Sequence, residues 1–122
     1  MILADTSVWI DYLRRGHPDF QNLLGMGRVA MHPFIAAEIA LGSLRNRRKR
    51  LEEMDSLRAV RVAQLDEVRH MIEAHSLHSK GIGLTDAHLI ASCLLTPGTR
   101  LWTLDADLKK VAESLGIGFE PA

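Results

Sequence analysis

The sequence predicts an α/β fold in which a mainly parallel sheet lies between two layers of helices, as a three-layer sandwich. Two observations support this prediction. Short apolar runs of strand length alternate along the chain with longer segments whose apolar residues recur at helical spacing. The strand-like runs are also almost continuously apolar, which is typical of parallel strands buried on both faces. We therefore expect the chain to cross one sheet repeatedly, with helices between the strands.

The predicted elements follow one another at short intervals. Asp5, Thr6 and Ser7 are capping residue types that follow the first apolar run, and they predict a strand that passes directly into a helix. Pro33 and Gly42 are placed to begin and end a largely buried apolar helix. In chain order we predict strands at 1–4, 28–31, 57–63, 101–104 and 117–119, and helices at 8–13, 19–24, 34–41, 65–76, 87–95 and 108–115.

Length and composition indicate one domain. A chain of 122 residues is close to the commonest domain size and leaves little room for a second core. Hydrophobic residues make up 47% of the chain and charged residues 25%, which excludes disordered and collagen-like proteins. The sequence contains no internal repeat, low-complexity tract or linker. We predict a single domain over residues 1–122.

The sequence also bears on the compartment of the protein. Its apolar stretches end far short of the roughly 20 residues that a membrane helix needs. Met1 to Asp5 lack the basic start and the cleavage site of a secretory signal, so we expect a cytoplasmic protein that does not enter a membrane. The single cysteine, Cys93, lies in an apolar run, which predicts a buried thiol rather than a nucleophile.

Charge is balanced overall but uneven along the chain. Fifteen basic and fifteen acidic residues give a net charge of zero, which does not favour a generally cationic nucleic-acid binder. Residues 45–50 nevertheless contain five cations, and acidic residues follow closely behind them. This segment is either a solvated helix paired with those acids or a rim that binds RNA phosphates. The five cations are Arg45, Arg47, Arg48, Lys49 and Arg50.

Four acidic residues stand where a parallel sheet places its ligand sites. Asp5 and Asp105 directly follow strand candidates, and ligands bind beyond the carboxyl ends of such strands. Glu38 is embedded in an apolar helix, where a buried carboxylate requires an arginine partner or a cation. Asp86 leads another apolar helix. Each aspartate alone is equally well explained as a helix cap.

Together the four acids predict a site for a divalent cation. Carboxylates at one sheet edge repel one another unless a cation neutralises them, and Mg²⁺ and Mn²⁺ prefer oxygen ligands. Such ions activate water for attack on a phosphodiester. We favour Asp105 over Asp107 as the fourth acid of this site, because Asp105 is the first residue past the predicted strand. Asp107 then caps the next helix or binds metal through water.

Four segments that contain these acids resemble motifs of the PIN-domain ribonucleases, and most closely of the VapC-type toxins of bacterial toxin–antitoxin pairs. The resemblance spans nearly the whole chain and keeps the motifs in order. The segments are LADTSVWID at 3–11, EIALG at 38–42, TDAHLIA at 85–91 and LWTLDADL at 101–108. The last segment departs from the family pattern by having Leu108 where an aromatic residue is common.

The resemblance implies a PIN-like sandwich whose catalytic acids, Asp5, Glu38, Asp86 and Asp105, surround Mg²⁺ or Mn²⁺. It implies hydrogen-bonding support for these acids from Thr6, Ser7 or Thr103. The implied activity is an endoribonuclease that cleaves RNA phosphodiesters with metal-activated water. The implied partners are a cognate VapB-type antitoxin, whose C-terminal segment covers the acidic site, and a second copy of the chain in a homodimer.

Other interpretations stay open at this point. A PIN-like nuclease of RNA processing, outside a toxin–antitoxin pair, would carry the same acids, and a non-catalytic binding module would tolerate their loss. His70, His75 and His78 suggest zinc, but no further histidine or cysteine completes a recognisable ligand pattern. A strand-end aspartate can also be phosphorylated. However, Asp5 has no second aspartate two residues on, and the chain has no glycine-rich phosphate loop.

Overall fold

The computed structural model describes residues 1–121, which form a parallel sheet surrounded by helices. This confirms the predicted α/β sandwich. The strands of residues 1–121 are β1 (Ile2–Ala4), β2 (Val29–Met31), β3 (Arg58–Ala59) and β4 (Arg100–Trp102). The helices are α1 (Thr6–Arg15), α2 (Pro18–Gly25), α3 (Pro33–Ala40), α4 (Arg47–Asp55), α5 (Leu65–Ala74), α6 (Leu84–Leu95) and α7 (Ala106–Ser114).

Strand β1 lies in the middle of the sheet, whose order is β3-β2-β1-β4. Its three residues are buried, as expected for an apolar strand covered on both faces. The chain first builds outward from β1 to β2 and β3, and it later returns to add β4 on the other side of β1. The strand order therefore reverses between β1 and β4, which is where open α/β sheets bind their ligands.

Two predicted strands are much shorter than expected. The strand predicted over 57–63 is reduced to Arg58–Ala59, both exposed, because the chain leaves the edge of the sheet after Val60 donates a last hydrogen bond to Met31. The strand predicted over 117–119 is a single bridge between Gly118 and Leu101. Alternating or apolar residues in these segments reflect packing against the sheet edges rather than full strand pairing.

Helix α3 is less buried than its apolar sequence predicts. Ile35 and Ile39, one turn apart, form its buried stripe. Phe34 is 36% exposed and Leu41, which ends the helix, is 89% exposed. Glu38 is also exposed, so the expectation of a buried carboxylate here is wrong. The reason is geometric, because a helix packed on one side buries one stripe whatever the composition of its other faces.

An aromatic cluster fixes α1 against the sheet. The ring centroid of Phe20 lies 4.7 Å from that of Trp9, 4.7 Å from that of Tyr12 and 5.8 Å from that of Trp102. Edge-on and tilted arrangements of this kind are favourable for aromatic pairs. Because α1 begins directly after β1, this packing also holds the position of Asp5.

Two further sequence expectations bear on the helices. Cys93 in α6 is buried, as predicted, and burial raises the pKa of its thiol to about 12. Within residues 1–121, no helix combines the length and the apolar composition required to cross a membrane.

Candidate active site

Asp5 is the most constrained acid of the site. It is 6% exposed, directly follows β1 and caps the N-terminus of α1. Its Oδ1 accepts hydrogen bonds from the backbone N–H of Val8 at 3.2 Å and from the hydroxyl of Ser7. Its backbone N–H donates to the carbonyl of Trp102 at 2.9 Å, which extends the pairing of β1 and β4 by one residue. The carboxylate is therefore held at the reversal of strand order.

Thr103 connects Asp5 to the end of β4. Its hydroxyl donates to Oδ2 of Asp5 and accepts from the backbone N–H of Asp105 at 3.0 Å. On the other side of the site, the hydroxyl of Ser7 accepts from the backbone N–H of Leu104 at 3.0 Å. Both hydroxyl groups thus use their donor and an acceptor lone pair to join the segments after β1 and β4.

Glu38 reaches the site from α3. Its Oε1 accepts a hydrogen bond of 2.8 Å from the hydroxyl of Thr6, the first residue of α1. No arginine or lysine within residues 1–121 forms an ion pair with it. Thr6, Ser7 and Thr103, the three hydroxyl residues expected near the acids, therefore each donate a hydrogen bond to one of them.

Asp86, in the first turn of α6, is influenced by the other three acids. Burial is the largest cause that raises the pKa of Asp86, and the negative charges of Asp105, Asp5 and Glu38 raise it further. A hydrogen bond of 3.2 Å from the backbone N–H of Gly83 to Oδ2 opposes this shift. Residues from four separate parts of the chain thus lie close enough to act on one another as charges.

Asp105 and Asp107 have different surroundings. Asp105 caps α7 by accepting a hydrogen bond of 2.9 Å from the backbone N–H of Leu108, and its charge acts on Asp86. Asp107 lies instead against Gly81, where a methyl group on the glycine would be 2.5 Å from Oδ2 of Asp107. Gly81 also has a φ of +79°, which favours glycine. The geometry brings Asp105 into the acid cluster and associates Asp107 with the loop before α6.

The donor set fits a hard divalent cation in its chemistry. All four acids offer oxygen ligands, and their mutual repulsion at Asp86 is the effect that a bound cation would relieve. Within residues 1–121, no three histidine, cysteine, aspartate or glutamate side chains already stand at the spacing needed to hold one ion. Direct binding by three acids would thus require their side chains to move closer together.

The five cations of residues 45–50 are divided between the loop after α3 and the start of α4. The guanidinium of Arg47 donates to the carbonyl of Ala40 at 2.9 Å. That of Arg50 lies 3.4 Å from Oε2 of Glu53 and over the ring of Tyr12. In the part of the chain that the structure describes, Arg45, Arg48 and Lys49 form no ion pair, and all three are exposed. Pairing with the following acids thus accounts for one cation of the five.

Two buried histidines to which sequence reasoning assigned no role lie near the acids. His32 directly follows β2, is fully buried and caps α3, while His88 lies two residues beyond Asp86 and is 6% exposed. The position of His32 just after an apolar strand and before Pro33 is a capping signal that the sequence does contain. Nothing in the sequence indicates that the two histidine rings approach each other.

This protein is a parallel α/β sandwich that brings four carboxylates together where its strand order reverses. It therefore belongs to the class of small α/β domains whose acidic site offers carboxylate oxygens as ligands. The family model of the PIN domain matches residues 2–114. This chain belongs to the PIN-domain family.

Comparisons with individual proteins agree with this assignment. Ribonuclease VapC32 of Mycobacterium tuberculosis, from strains CDC 1551 / Oshkosh and H37Rv, is 38% identical over 117 residues, which cover 96% of this chain and 94% of the relative. The resemblance to VapC-type PIN-domain ribonucleases is thereby confirmed. The crystal structure of PAE2754 from Pyrobaculum aerophilum has the same fold, with a TM-score of 0.59 and 17% identity over 93% of this chain and 85% of that one.

Proposed function

We propose that this protein is a Mg²⁺-dependent endoribonuclease and the toxin of a VapBC-type toxin–antitoxin pair. The observation that carries the proposal is the convergence of Asp5, Glu38, Asp86 and Asp105, in which burial and then the charges of the other three acids raise the pKa of Asp86. The name of the relative Ribonuclease VapC32, which matches almost the full chain, supports RNA as the substrate.

The same four acids are the residues that would hold Mg²⁺, or Mn²⁺ in its place. When bound, such a cation supplies a water of lowered pKa and stabilises negative charge on the phosphodiester oxygens. Mg²⁺ commonly retains several of its waters in proteins, which is compatible with acids that stand some distance apart.

The chain's own residues prepare this site. Asp5 cannot turn away, because Val8, Ser7 and Thr103 all donate to its carboxylate. Glu38 accepts a hydrogen bond from the hydroxyl of Thr6. Because Glu38 is exposed, its side chain can still move toward a ligand. We assign Asp5 as the fixed point of the site and Glu38 as its adjustable member.

RNA binding is assigned to the basic segment formed by Arg45, Arg47, Arg48, Lys49 and Arg50. The exposed members of this segment offer charge to phosphates at low desolvation cost, and within residues 1–121 the neighbouring Glu53 pairs with Arg50 alone. Because the guanidinium of Arg47 donates to the carbonyl of Ala40 at the end of α3, the segment is anchored to the helix that carries Glu38.

The cognate antitoxin is assigned to the exposed apolar residues near Glu38. Phe34 and Leu41 belong to the segment of α3, and Ile10 of α1 is also 36% exposed. Large apolar side chains on a surface are typical of an interaction site. A homodimer and action in the cytoplasm complete the proposal. Co-expression with the product of the neighbouring gene tests the pair, because a toxin should co-purify with that product.

Cleavage of total cellular RNA by the purified protein tests the activity. Reactions contain Mg²⁺, Mn²⁺ or EDTA, and Asp5→Asn and Asp66→Asn are purified identically to reveal contaminating nuclease. Asparagine retains the capping function of Asp5 while removing its charge. We expect discrete cuts with 5′-phosphate and 3′-hydroxyl ends from the wild type and from Asp66→Asn, and none with EDTA or from Asp5→Asn.

Other outcomes would contradict the proposal in distinct ways. Products with 2′,3′-cyclic phosphate ends would exclude attack by an activated water on the phosphodiester. Equal behaviour of the wild type and Asp5→Asn would favour a non-catalytic binding module. Metal-dependent cleavage without a co-purifying partner would favour an RNA-processing nuclease outside a toxin–antitoxin pair.

A further inference from the structure

The buried rings of His32 and His88 pack against the ring of Phe34, which is itself 36% exposed. The ring centroids of the two histidines are 6.3 Å apart, and that of Phe34 lies 5.0 Å from His32 and 4.7 Å from His88. His32 is fully buried and His88 is 6% exposed. Neither histidine has a role in the function proposed above, so their burial beside residues of the acid site requires its own explanation.

The hydrogen bonding of His32 fixes the position of its ring proton. Nδ1 of His32 accepts a hydrogen bond of 2.9 Å from the backbone N–H of Phe34 and must therefore carry a lone pair. Burial, and secondly the nearby His88, lower the pKa of His32 to about 4, so the ring is neutral at ordinary pH. In a neutral ring with Nδ1 as acceptor, Nε2 carries the proton and is a donor.

Each ring also has one buried nitrogen without a partner. Within residues 1–121, neither Nε2 of His32 nor Nδ1 of His88 takes part in a hydrogen bond. Buried polar atoms in proteins are nearly always paired, and ordered water supplies the partner where no protein group does. The two rings form no direct hydrogen bond, but one water can accept from Nε2–H of His32 and donate to Nδ1 of His88.

We propose that His32 and His88 are positioning residues, joined by a bridge from Nε2–H of His32 through one buried water to Nδ1 of His88. His32 caps α3, which carries Glu38, and His88 lies in α6, which carries Asp86. The bridge therefore fixes the relative placement of two of the four acids. Its effect on metal binding rests on the proposed function, whereas the bridge itself does not.

Ser92 provides a matched control for this proposal. It lies one turn beyond His88 in α6, is fully buried, and its hydroxyl also lacks a partner within residues 1–121. A hydroxyl that turned toward Nδ1 of His88 would compete with the bridge. Ser92→Ala distinguishes the two arrangements, because it removes the hydroxyl and leaves both histidines in place.

Three substitutions dissect the bridge. His32→Asn retains an acceptor where Nδ1 caps α3 and loses the Nε2–H donor. His88→Phe retains a planar ring and loses the Nδ1 acceptor. His88→Asn restores an acceptor at the position of Nδ1 and serves as the conservative rescue. The double variant of His32→Asn with His88→Phe completes a cycle, because residues that share one interaction lose it only once.

Nitrogen-15 NMR of the metal-free protein observes the bridge directly. We expect His32 to carry its ring proton on Nε2, with slow exchange against solvent in the wild type and in Ser92→Ala. Exchange should accelerate in His88→Phe and recover in His88→Asn. In RNA-free titrations with Mn²⁺, His32→Asn and His88→Phe should each bind about 10-fold more weakly, as for other groups that orient metal ligands. The double variant should bind no more weakly than either.

Several results would overturn the proposal. One is a ring proton on Nδ1 of His32, and another is an additive loss in the double variant. A loss in Ser92→Ala equal to that in His88→Phe would assign the partner of His88 to the serine instead. If the wild type binds no Mn²⁺, the proposed function fails. The existence of the bridge is then tested by proton exchange and by the His32→Asn and His88→Phe double-variant cycle, measured through thermal unfolding.

Discussion

The hydroxyl of Thr103 donates a hydrogen bond to Oδ2 of Asp5 across 98 positions of sequence. This contact joins the segments that follow β1 and β4, the two strands between which the order of the sheet reverses. The same hydroxyl accepts from the backbone N–H of Asp105, so one side chain orients two of the four acids. The acid site therefore depends on a threonine that holds no ligand itself.

Thr103→Val should weaken both folding and metal binding. Valine has the same shape but leaves the backbone N–H of Asp105 and Oδ2 of Asp5 without their partner, at a cost of about 1–3 kcal/mol in the free energy of unfolding. Mn²⁺ affinity should fall by about 10-fold. Denaturant unfolding and Mn²⁺ titration measure the two effects. Thr103→Ser retains the hydroxyl, and equal losses in that variant would contradict this role.

Asp105→Asn should reduce RNA cleavage far more than Asp107→Asn. Asparagine is as good a helix cap as aspartate, so the first substitution removes charge from the acid cluster without uncapping α7. The carboxylate of Asp107 lies against Gly81, whereas the charges that raise the pKa of Asp86 are those of Asp105, Asp5 and Glu38. Initial cleavage rates of the two variants decide the question. A larger loss in Asp107→Asn would make Asp107 the fourth acid of the site.

His32 should make the free energy of unfolding depend on pH in the acid range. Its pKa is about 4 in the folded protein and 6.5 in the unfolded chain, so between these values the unfolded state binds more protons. This contribution to stability is complete above pH 6.5 and declines toward pH 4, by about 1.4 kcal/mol per unit. This pH dependence should be absent from His32→Asn. Asp86 has the opposite effect in both proteins, so subtracting the curve of unfolding free energy against pH for His32→Asn from that of the wild type isolates the effect of His32. Parallel curves would disprove it.

Neutralising part of the basic segment should reduce the salt dependence of RNA binding. In an Asp5→Asn background that leaves RNA intact, the pair Arg48→Gln and Lys49→Gln should lower the slope of log affinity against log salt. The slope should fall by about 0.7 for each RNA phosphate that the segment no longer neutralises. Arg69→Gln with Lys80→Gln removes two exposed cations from α5 and the loop before α6 as a control. Equal slopes for both pairs would indicate that residues 45–50 are only a solvated surface.

The sequence predicted the part of the site that depends on strand ends. Asp5 and Asp105 each follow a short apolar run directly, and parallel strands place such residues at one edge of a sheet. Local spacing therefore contained the information needed to bring them together. The choice between Asp105 and Asp107 depended on the loop around Gly81, whose position relative to α7 is a tertiary contact.

The sequence-based prediction was wrong where burial was inferred from composition alone. Glu38 was expected to be buried because its neighbours are apolar, yet α3 buries only the stripe of Ile35 and Ile39. The surplus apolar residues Phe34 and Leu41 face outward instead. The approach of His32 to His88 could not be predicted either, because it joins positions far apart in the chain whose contact exists only after α3 and α6 have packed.

Binding of Mn²⁺ to the RNA-free protein tests the central claim that four acids form one cation site. Isothermal titration would compare the wild type with Asp86→Asn and Glu38→Gln, and with Asp66→Asn on α5 as the control. We predict saturable binding that each of the first two substitutions weakens by at least about 10-fold and that Asp66→Asn leaves unchanged. Absence of binding by the wild type, or equal affinity for the wild type and Asp86→Asn, would contradict the claim.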